Sequence, residues 1–100
     1  MSSPKALVAE FTALPGEEET VAELLAGLAE LVRAEPGCLE FAPHRLAEEP
    51  SRFFVYEVYR DGDAFAAHLA APYGLEFNTR LVPLIVEDGS QLTMLRSLRG

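Results

Sequence analysis

The sequence lacks the residues on which several classes of protein depend. It has no tryptophan, one cysteine and two histidines. One cysteine cannot form a disulfide within the chain, which excludes a disulfide-stapled domain. No histidines or cysteines have the spacing of a metal site, and no glycine-rich loop or nucleophile elbow is present. If the chain is an enzyme, we expect it to use side chains and the substrate's own reactivity, with no metal and no cofactor.

Positive charge is also scarce. Eight Lys and Arg residues stand against sixteen Asp and Glu residues, for a net charge of −8. This field would repel a phosphate backbone or an anionic bilayer, so we expect no nucleic-acid partner and no membrane partner. The stretch MSSPKALVAEF has no apolar run of signal-peptide length, and no segment has the length and hydropathy of a membrane span. A cytoplasmic location is the resulting expectation.

The composition, 49% hydrophobic and 24% charged, is typical of a globular chain, and no linker or repeat divides residues 1–100. We therefore predict a single domain. Alternation predicts a strand over 6–13, and a helix follows with acidic residues at 17–19 in its first turn. Pro36 ends this helix. Its apolar stripe consists of Val21, Leu24, Leu25, Leu28, Leu31 and Val32.

Two strands are predicted next, over 38–46 and 52–59, joined as a hairpin by a five-residue loop. The second strand reads RFFVYEVY and is largely apolar on both faces. A layer of helices can cover only one face of a sheet. The other face therefore predicts a homodimer that packs sheet against sheet.

The remaining elements are a short helix within 60–72, a third helix from near Tyr73 and a last strand at about 90–98. Asp61 is the expected N-cap of the short helix, and Pro83 is expected to kink or end the third helix. The order β-α-β-β-α-(α)-β predicts an α+β, ferredoxin-like domain. In this fold helices back one face of an antiparallel four-stranded sheet.

Cys38 follows the end of the first helix, between Glu35 and Glu40. The negative end of a helix dipole and nearby carboxylates both disfavour a thiolate. We interpret Cys38 as a small apolar residue at the start of a strand. The surrounding stretch EPGCLEF is interpreted as the boundary between two elements.

Glu57 and His68 are the candidates for chemistry. Glu57 shares a strand face with Phe53, Val55 and Tyr59, where an unpaired carboxylate would be costly to bury. His68 lies on the apolar stripe of the following helix. A pair between them would satisfy both groups and would provide a base that responds near neutral pH. The alternative is that His68 is a hydrogen-bonded core residue without a catalytic role.

The candidate walls of a substrate pocket are mostly aromatic, and each has an alternative interpretation as ordinary core. His44, on the first hairpin strand, is expected to face solvent or a groove. The predicted substrate-binding residues are Tyr59, Tyr56, Phe54, Tyr73, Phe77 and His44.

Three stretches, EPGCLEF, HRLAEEPSRFFVYEVYRD and AFAAHLAAPYGLEF, closely resemble the antibiotic biosynthesis monooxygenase (ABM) family. The match covers nearly the whole chain in the family's order. Glu57 and His68 fall on the family's recurring Glu and His, while Tyr59 stands where many members have Trp. The resemblance implies a dimeric α+β barrel of ferredoxin-like units.

The family includes cofactor-independent oxygenases of phenols and quinols, haem-degrading enzymes and an isomerase of a phosphorylated signalling molecule. The haem-degrading branch has a strand Trp, an early strand Asn and a helix His. This chain has no Trp, and its only Asn is Asn78. Only His68 remains of the three, so the resemblance does not extend to haem degradation.

Three hypotheses follow, each with a small apolar or aromatic molecule as the ligand. In the first, a cofactor-independent monooxygenase uses His68, oriented by Glu57, to deprotonate a phenol or quinol, with O2 as co-substrate. In the second, the same pair serves a non-redox isomerase or lyase. In the third, the pair is structural and the dimer only binds its ligand. An anionic substrate in the second case would require an Arg or Lys in the pocket, for which Arg45, Arg52 and Arg80 are the candidates.

Overall fold

The computed structural model describes residues 3–98. Its antiparallel sheet has four strands in the order β2-β3-β1-β4, and three helices accompany it. The predicted α+β class and the ferredoxin-like order of elements are confirmed. The elements are β1 Lys5–Thr12, α1 Glu18–Arg33, β2 Cys38–Arg45, β3 Arg52–Tyr59, α2 Gly62–Ala70, α3 Pro72–Leu81, a 3-10 turn Val82–Leu84 and β4 Gln91–Leu95.

The ends of these elements follow local signals. Asp61 caps α2 as expected, because its carboxylate accepts a hydrogen bond from the backbone N–H of Ala64 at 2.8 Å. Pro72 opens α3, where a missing N–H costs nothing. Pro83 lies in the turn that follows α3, so the helix ends there as predicted. β4 is shorter than the predicted 90–98, because it pairs with β1 only from Ala6 to Glu10.

The core lies between the sheet and the helices. Along β3 buried and half-buried residues alternate, and the buried set is Phe53, Val55, Glu57 and Tyr59. Leu7, Ala9, Phe11 and Ala13 of the first strand region are also buried in this core. The buried residues of α1 are Val21, Leu25, Ala29 and Val32. Leu31, which was predicted for the same stripe, is 49% exposed at the stripe's edge.

The other face of the sheet carries a second apolar surface, which we call the open sheet face: Val8, Ala42, Phe54, Tyr56 and Val58. The strand register places Val8 and Ala42 on either side of Tyr56. The helix residues of the described core cluster all pack against the opposite face of the sheet. The open sheet face is therefore left without a covering layer within residues 3–98.

None of the helices in residues 3–98 is long and apolar enough to cross a bilayer.

Candidate active site

A close backbone contact positions α2 over the sheet. The backbone N–H of Arg60 donates to the carbonyl of Gly37 at 2.8 Å. A Cβ atom on Gly37 would lie only 2.3 Å from the Cβ of Ala64, so only glycine permits this approach. His68 lies one turn beyond Ala64 on the same side of α2. The segment that follows α1 is thereby brought close to His68.

His68 contacts two carboxylates, one at each ring nitrogen. Its Nδ1 lies 3.1 Å from Oε2 of Glu35, which is within hydrogen-bond distance. Its Nε2 lies 3.8 Å from Oε1 of Glu57, which is an ion-pair distance too long for a hydrogen bond. The ring also packs on Tyr59, with 4.7 Å between the ring centroids. Glu57 is therefore a neighbour of His68, and Glu35 is its hydrogen-bond partner.

Glu57 is the only charged residue among residues 3–98 that is buried, at 5% exposure. The hydroxyl of Tyr59 donates to its Oε1 at 2.7 Å. Burial raises the pKa of the Glu57 carboxyl, although the Tyr59 hydrogen bond and His68 partly oppose this. Burial and the neighbouring Glu57 likewise raise the pKa of Tyr59. Glu57 is therefore a carboxyl group that gives up its proton less readily than usual.

Glu35 accepts a second hydrogen bond, from the hydroxyl of Tyr73 to the same Oε2 atom. Burial and this carboxylate raise the pKa of Tyr73 to about 12. The sequence interpretation missed Glu35, because it treated EPGCLEF only as a boundary. One signal was available: an acidic residue just beyond the C-terminal end of a helix lies where the dipole disfavours it. Such a residue is expected to have a compensating partner.

Glu57 and His68 line one cavity of about 400 Å³ between the sheet and the helices. Its walls are mostly apolar, with Phe11, Phe65 and Phe77 among them, and Asn78, Asp88 and Ser90 contribute polar groups. No Lys or Arg within residues 3–98 lines it. The arginines that the sequence offered for an anionic substrate instead pair with glutamates elsewhere: Arg45 with Glu19, Arg52 with Glu10, and Arg80 with Glu76.

The other predicted substrate-binding residues lie in different places. Phe77 lies on the cavity wall, while Tyr59 lies behind His68 with its hydroxyl on Glu57. Tyr73 lines a separate surface groove beside Glu35. The structure does not bring the remaining three to the cavity, because strand alternation turns them to the opposite face of the sheet. These three are Phe54, Tyr56 and His44.

Cys38 lies at the start of β2 and is partly buried against the core. Burial raises the pKa of its thiol, and the nearby carboxylates of Glu35 and Glu57 add to this effect. These surroundings fit a structural cysteine rather than a nucleophile.

No group of three or more His, Cys, Asp and Glu side chains in residues 3–98 is arranged to hold a metal ion. The titratable groups that line the cavity are the imidazole of His68 and the carboxyl groups of Glu57 and Asp88, and of these Glu57 is the carboxyl group beside the imidazole. Such a set suits proton transfer to and from a bound molecule. The fold and the site together define a small α+β domain with a histidine and a buried carboxyl group on the wall of an apolar, sheet-lined cavity.

Comparison with known proteins makes this class more specific. The family model for antibiotic biosynthesis monooxygenases matches residues 4–80. The chain therefore belongs to the antibiotic biosynthesis monooxygenase family. No curated protein sequence matches it.

Solved structures agree with the family assignment. PA3566 from Pseudomonas aeruginosa is 31% identical, with 98% of this chain and 97% of that chain covered and a TM-score of 0.89. Rv0793 from Mycobacterium tuberculosis is 26% identical, with 96% of each chain covered and a TM-score of 0.88. SnoaB from Streptomyces nogalater, a cofactor-independent oxygenase, is 23% identical, with 95% of this chain and 93% of that chain covered and a TM-score of 0.82. At that identity SnoaB shows a shared fold.

Proposed function

We propose that the protein is a cofactor-independent monooxygenase that oxidises a small phenol or quinol with O2. The observation that carries this proposal is the placement of His68 and Glu57 on the wall of one apolar cavity. Membership of the antibiotic biosynthesis monooxygenase family supports it. The description of SnoaB as a cofactor-independent oxygenase supports the absence of a cofactor.

The proposed reaction begins with proton transfer to His68. Nε2 accepts the proton of the substrate hydroxyl, and the phenolate then passes one electron to O2. The phenoxyl radical and superoxide combine through a new C–O bond at a ring carbon that carries hydrogen. The imidazolium returns its proton to the peroxide anion, which gives a hydroperoxide.

Loss of water completes the reaction. The base removes the hydrogen from the same ring carbon as the O–O bond breaks, and the departing hydroxide takes up that proton. The balance is one phenol and one O2 converted to one quinone and one water. The apolar walls keep other water from the reactive intermediates.

Glu57 is proposed to hold the substrate hydroxyl rather than to remove its proton. Its Oε1 lies 3.8 Å from Nε2, so one substrate oxygen can contact both groups. Because burial raises the pKa of Glu57, its neutral form can donate a hydrogen bond to a developing phenolate. This gives Glu57 a role in stabilising charge on the substrate.

The cavity favours an uncharged substrate. No Lys or Arg of residues 3–98 lines it, and the chain as a whole carries a net charge of −8. A phosphate or carboxylate group would therefore enter the cavity without a permanently charged partner, at a large desolvation cost. This argues against an isomerase or lyase that acts on an anionic metabolite. A non-redox enzyme acting on a neutral molecule would use the same pair.

We also propose that the protein is a homodimer that buries the open sheet face. Phe54, Tyr56 and Val58 on β3 face away from the helices and are half-buried in the single chain. A contiguous apolar surface on a sheet is typical of an interface between copies. The family resemblance points to the same arrangement.

Oxygen consumption tests the proposed reaction. The wild-type protein is given a panel of phenols and hydroquinones, and O2 uptake and quinone absorbance are recorded against protein-free controls. We expect catalysed O2 uptake that His68→Gln lowers by roughly 10²–10⁴-fold, the usual contribution of a general base. His44→Gln, which changes the other histidine on the far side of the sheet, serves as the matched control.

Two outcomes would contradict the proposal. O2 uptake no faster than the uncatalysed reaction across the whole panel would exclude the monooxygenase. Turnover at an equal rate without oxygen would identify a non-redox enzyme instead.

A further inference from the structure

The EPG segment at 35–37 places a carboxylate on the side of His68 that faces away from the cavity. Oε2 of Glu35 lies 3.1 Å from Nδ1, and the two side chains are only 16% and 14% exposed. An ionised carboxylate can only accept hydrogen bonds, so Nδ1 must carry the proton in this contact. In the neutral imidazole Nε2 then has a free lone pair. Glu57, which is near Nε2, lines the cavity, whereas Glu35 does not.

Several contacts hold this arrangement in place. Tyr73 donates its hydroxyl to the same oxygen of Glu35, which restrains the carboxylate. The ring of Tyr59 packs on the imidazole at 4.7 Å between centroids, which restrains the plane of His68. Gly37 allows the segment to approach Ala64, one turn before His68 on α2. The contact is therefore built from the end of α1, from β3, from α2 and from α3.

Glu57 is less suited to orient the imidazole. It lies 3.8 Å from Nε2, beyond hydrogen-bond distance, and its Oε1 already accepts the hydroxyl of Tyr59. It also lies on the cavity side, where a base needs its lone pair free for substrate. Of the two carboxylates, Glu35 alone makes a hydrogen bond that selects a tautomer.

We infer that Glu35 is a positioning residue that holds His68 with its proton on Nδ1, so that Nε2 faces the cavity as the base. This role parallels that of the buried aspartate behind the histidine of serine proteases, which fixes the tautomer without taking the proton. The inference rests on the proposed function for its catalytic consequence. The tautomer itself is a property of the free protein.

The first test is the tautomer of His68, read from two-dimensional ¹H–¹⁵N spectra of the histidine rings at a pH where they are neutral. The chain has only two histidines, and His44→Gln assigns the signals. We expect Nδ1–H in the wild type and a shift towards Nε2–H in Glu35→Ala. Glu30→Ala removes an exposed carboxylate from α1 and is the matched control, with no expected change.

A wild-type spectrum in which Nε2–H predominates would overturn the inference. This measurement does not depend on whether any Glu35 variant folds. An unchanged tautomer in folded Glu35→Ala would also overturn it.

The second test is chemical rescue. Glu35 lines a surface groove of about 310 Å³ together with Arg60 and Tyr73, and formate is small enough to enter it. We expect Glu35→Ala to lower kcat for O2 uptake roughly a hundredfold with little change in KM, because Nε2 of His68 would no longer be held in the orientation that removes the substrate proton. Added sodium formate should restore part of kcat and the Nδ1–H signal. Sodium chloride at equal ionic strength should restore neither.

The outcomes separate the two proposals. An Nδ1–H tautomer in a protein that oxidises no phenol would leave the role of Glu35 intact and exclude the monooxygenase. Catalysed O2 uptake that Glu35→Ala leaves unchanged would overturn the role of Glu35 alone. A purely structural role would lower stability in Glu35→Ala without any response of kcat or tautomer to formate, and that result would also overturn it.

Discussion

Glu57 shows how one residue in the core couples the site to the stability of the fold. Its carboxyl lies at 5% exposure, and the Tyr59 hydroxyl is its hydrogen-bond donor. Burial raises its pKa above the ordinary value of 4.5. In the pH range between its unfolded and folded pKa values, the native state therefore binds more protons than the unfolded state. The unfolding free energy must then fall as the pH rises through that range.

Glu57→Gln is predicted to remove this dependence. Protonated Glu57 contributes to the free energy of unfolding. This contribution is fully present below the pKa that Glu57 has in the unfolded chain, and it is lost as the pH rises through the raised pKa of the folded protein. The variant should therefore gain stability relative to the wild type as the pH increases from about 4 to 8. Urea unfolding at a series of pH values measures the difference. Glu30→Gln is the exposed control, and a stability difference between the wild type and Glu57→Gln that stays constant with pH would contradict the expectation.

Sequence alone could select Glu57 and His68 as candidates, because each is a polar residue on an otherwise apolar face, and the structure places both on one cavity wall. It could not identify Glu35, which lies 33 positions before His68. That contact depends on how closely two backbones approach at Gly37 and Ala64, a distance that no periodicity encodes. The same limit applies to Tyr73, which was predicted for the pocket wall and instead binds Glu35 outside the cavity.

At the scale of elements, α2 carries His68 and depends on contacts outside itself for its position. It has nine residues, so its own backbone gives it little stability. The Asp61 cap and the contact of its first turn with Gly37 fix its position. Such boundaries were predictable, because caps and prolines act locally. The length of β4 was not predictable from local signals, because it depends on how many residues of β1 are available to pair with it in the folded chain.

Gly37→Ala is predicted to displace α2. The new Cβ would lie 2.3 Å from the Cβ of Ala64, so the helix must move away from the EPG segment. We expect a loss of about 1–3 kcal/mol in the free energy of unfolding, as for other overpacked contacts. The Nδ1–H signal of His68 should weaken as well. Urea denaturation and the histidine spectrum measure the two effects.

The matched control is the double variant Gly37→Ala with Ala64→Gly, which removes the atom that collides. It should recover the histidine signal, although glycine in a helix itself costs about 1 kcal/mol. Failure of the double variant to recover that signal would show that the effect of Gly37→Ala does not come from the steric contact with Ala64.

At the scale of the whole molecule, the open sheet face is the surface on which the proposed homodimer depends. The alternation of β3 predicted two apolar faces, and the structure places helices on only one of them. Sequence could therefore indicate that a second surface exists. It could not give the shape of that surface, because the twist of the sheet and the register of its strands depend on the folded chain.

Tyr56→Lys is predicted to convert the proposed dimer to monomer. A buried ammonium in the middle of the open sheet face would lack a counterion in a symmetric interface, where it also meets its own copy. Sedimentation velocity over a range of protein concentrations measures the change. Leu75→Lys, at an exposed leucine of α3, is the matched control. A wild-type protein that is monomeric at all concentrations would contradict the expectation.

The hydrogen bonds of the tyrosines have an optical consequence. The chain has no tryptophan, so its ultraviolet emission comes from three tyrosines. Two of them, Tyr59 and Tyr73, donate their hydroxyls to Glu57 and Glu35. An ionised carboxylate quenches an excited phenol by accepting its proton, and at a pH above the raised pKa of Glu57 both acceptors act in this way. Native fluorescence should therefore come mainly from Tyr56 and brighten on unfolding. Because Tyr56 lies on the open sheet face, the protein carries an intrinsic fluorophore at the surface where a second copy would bind.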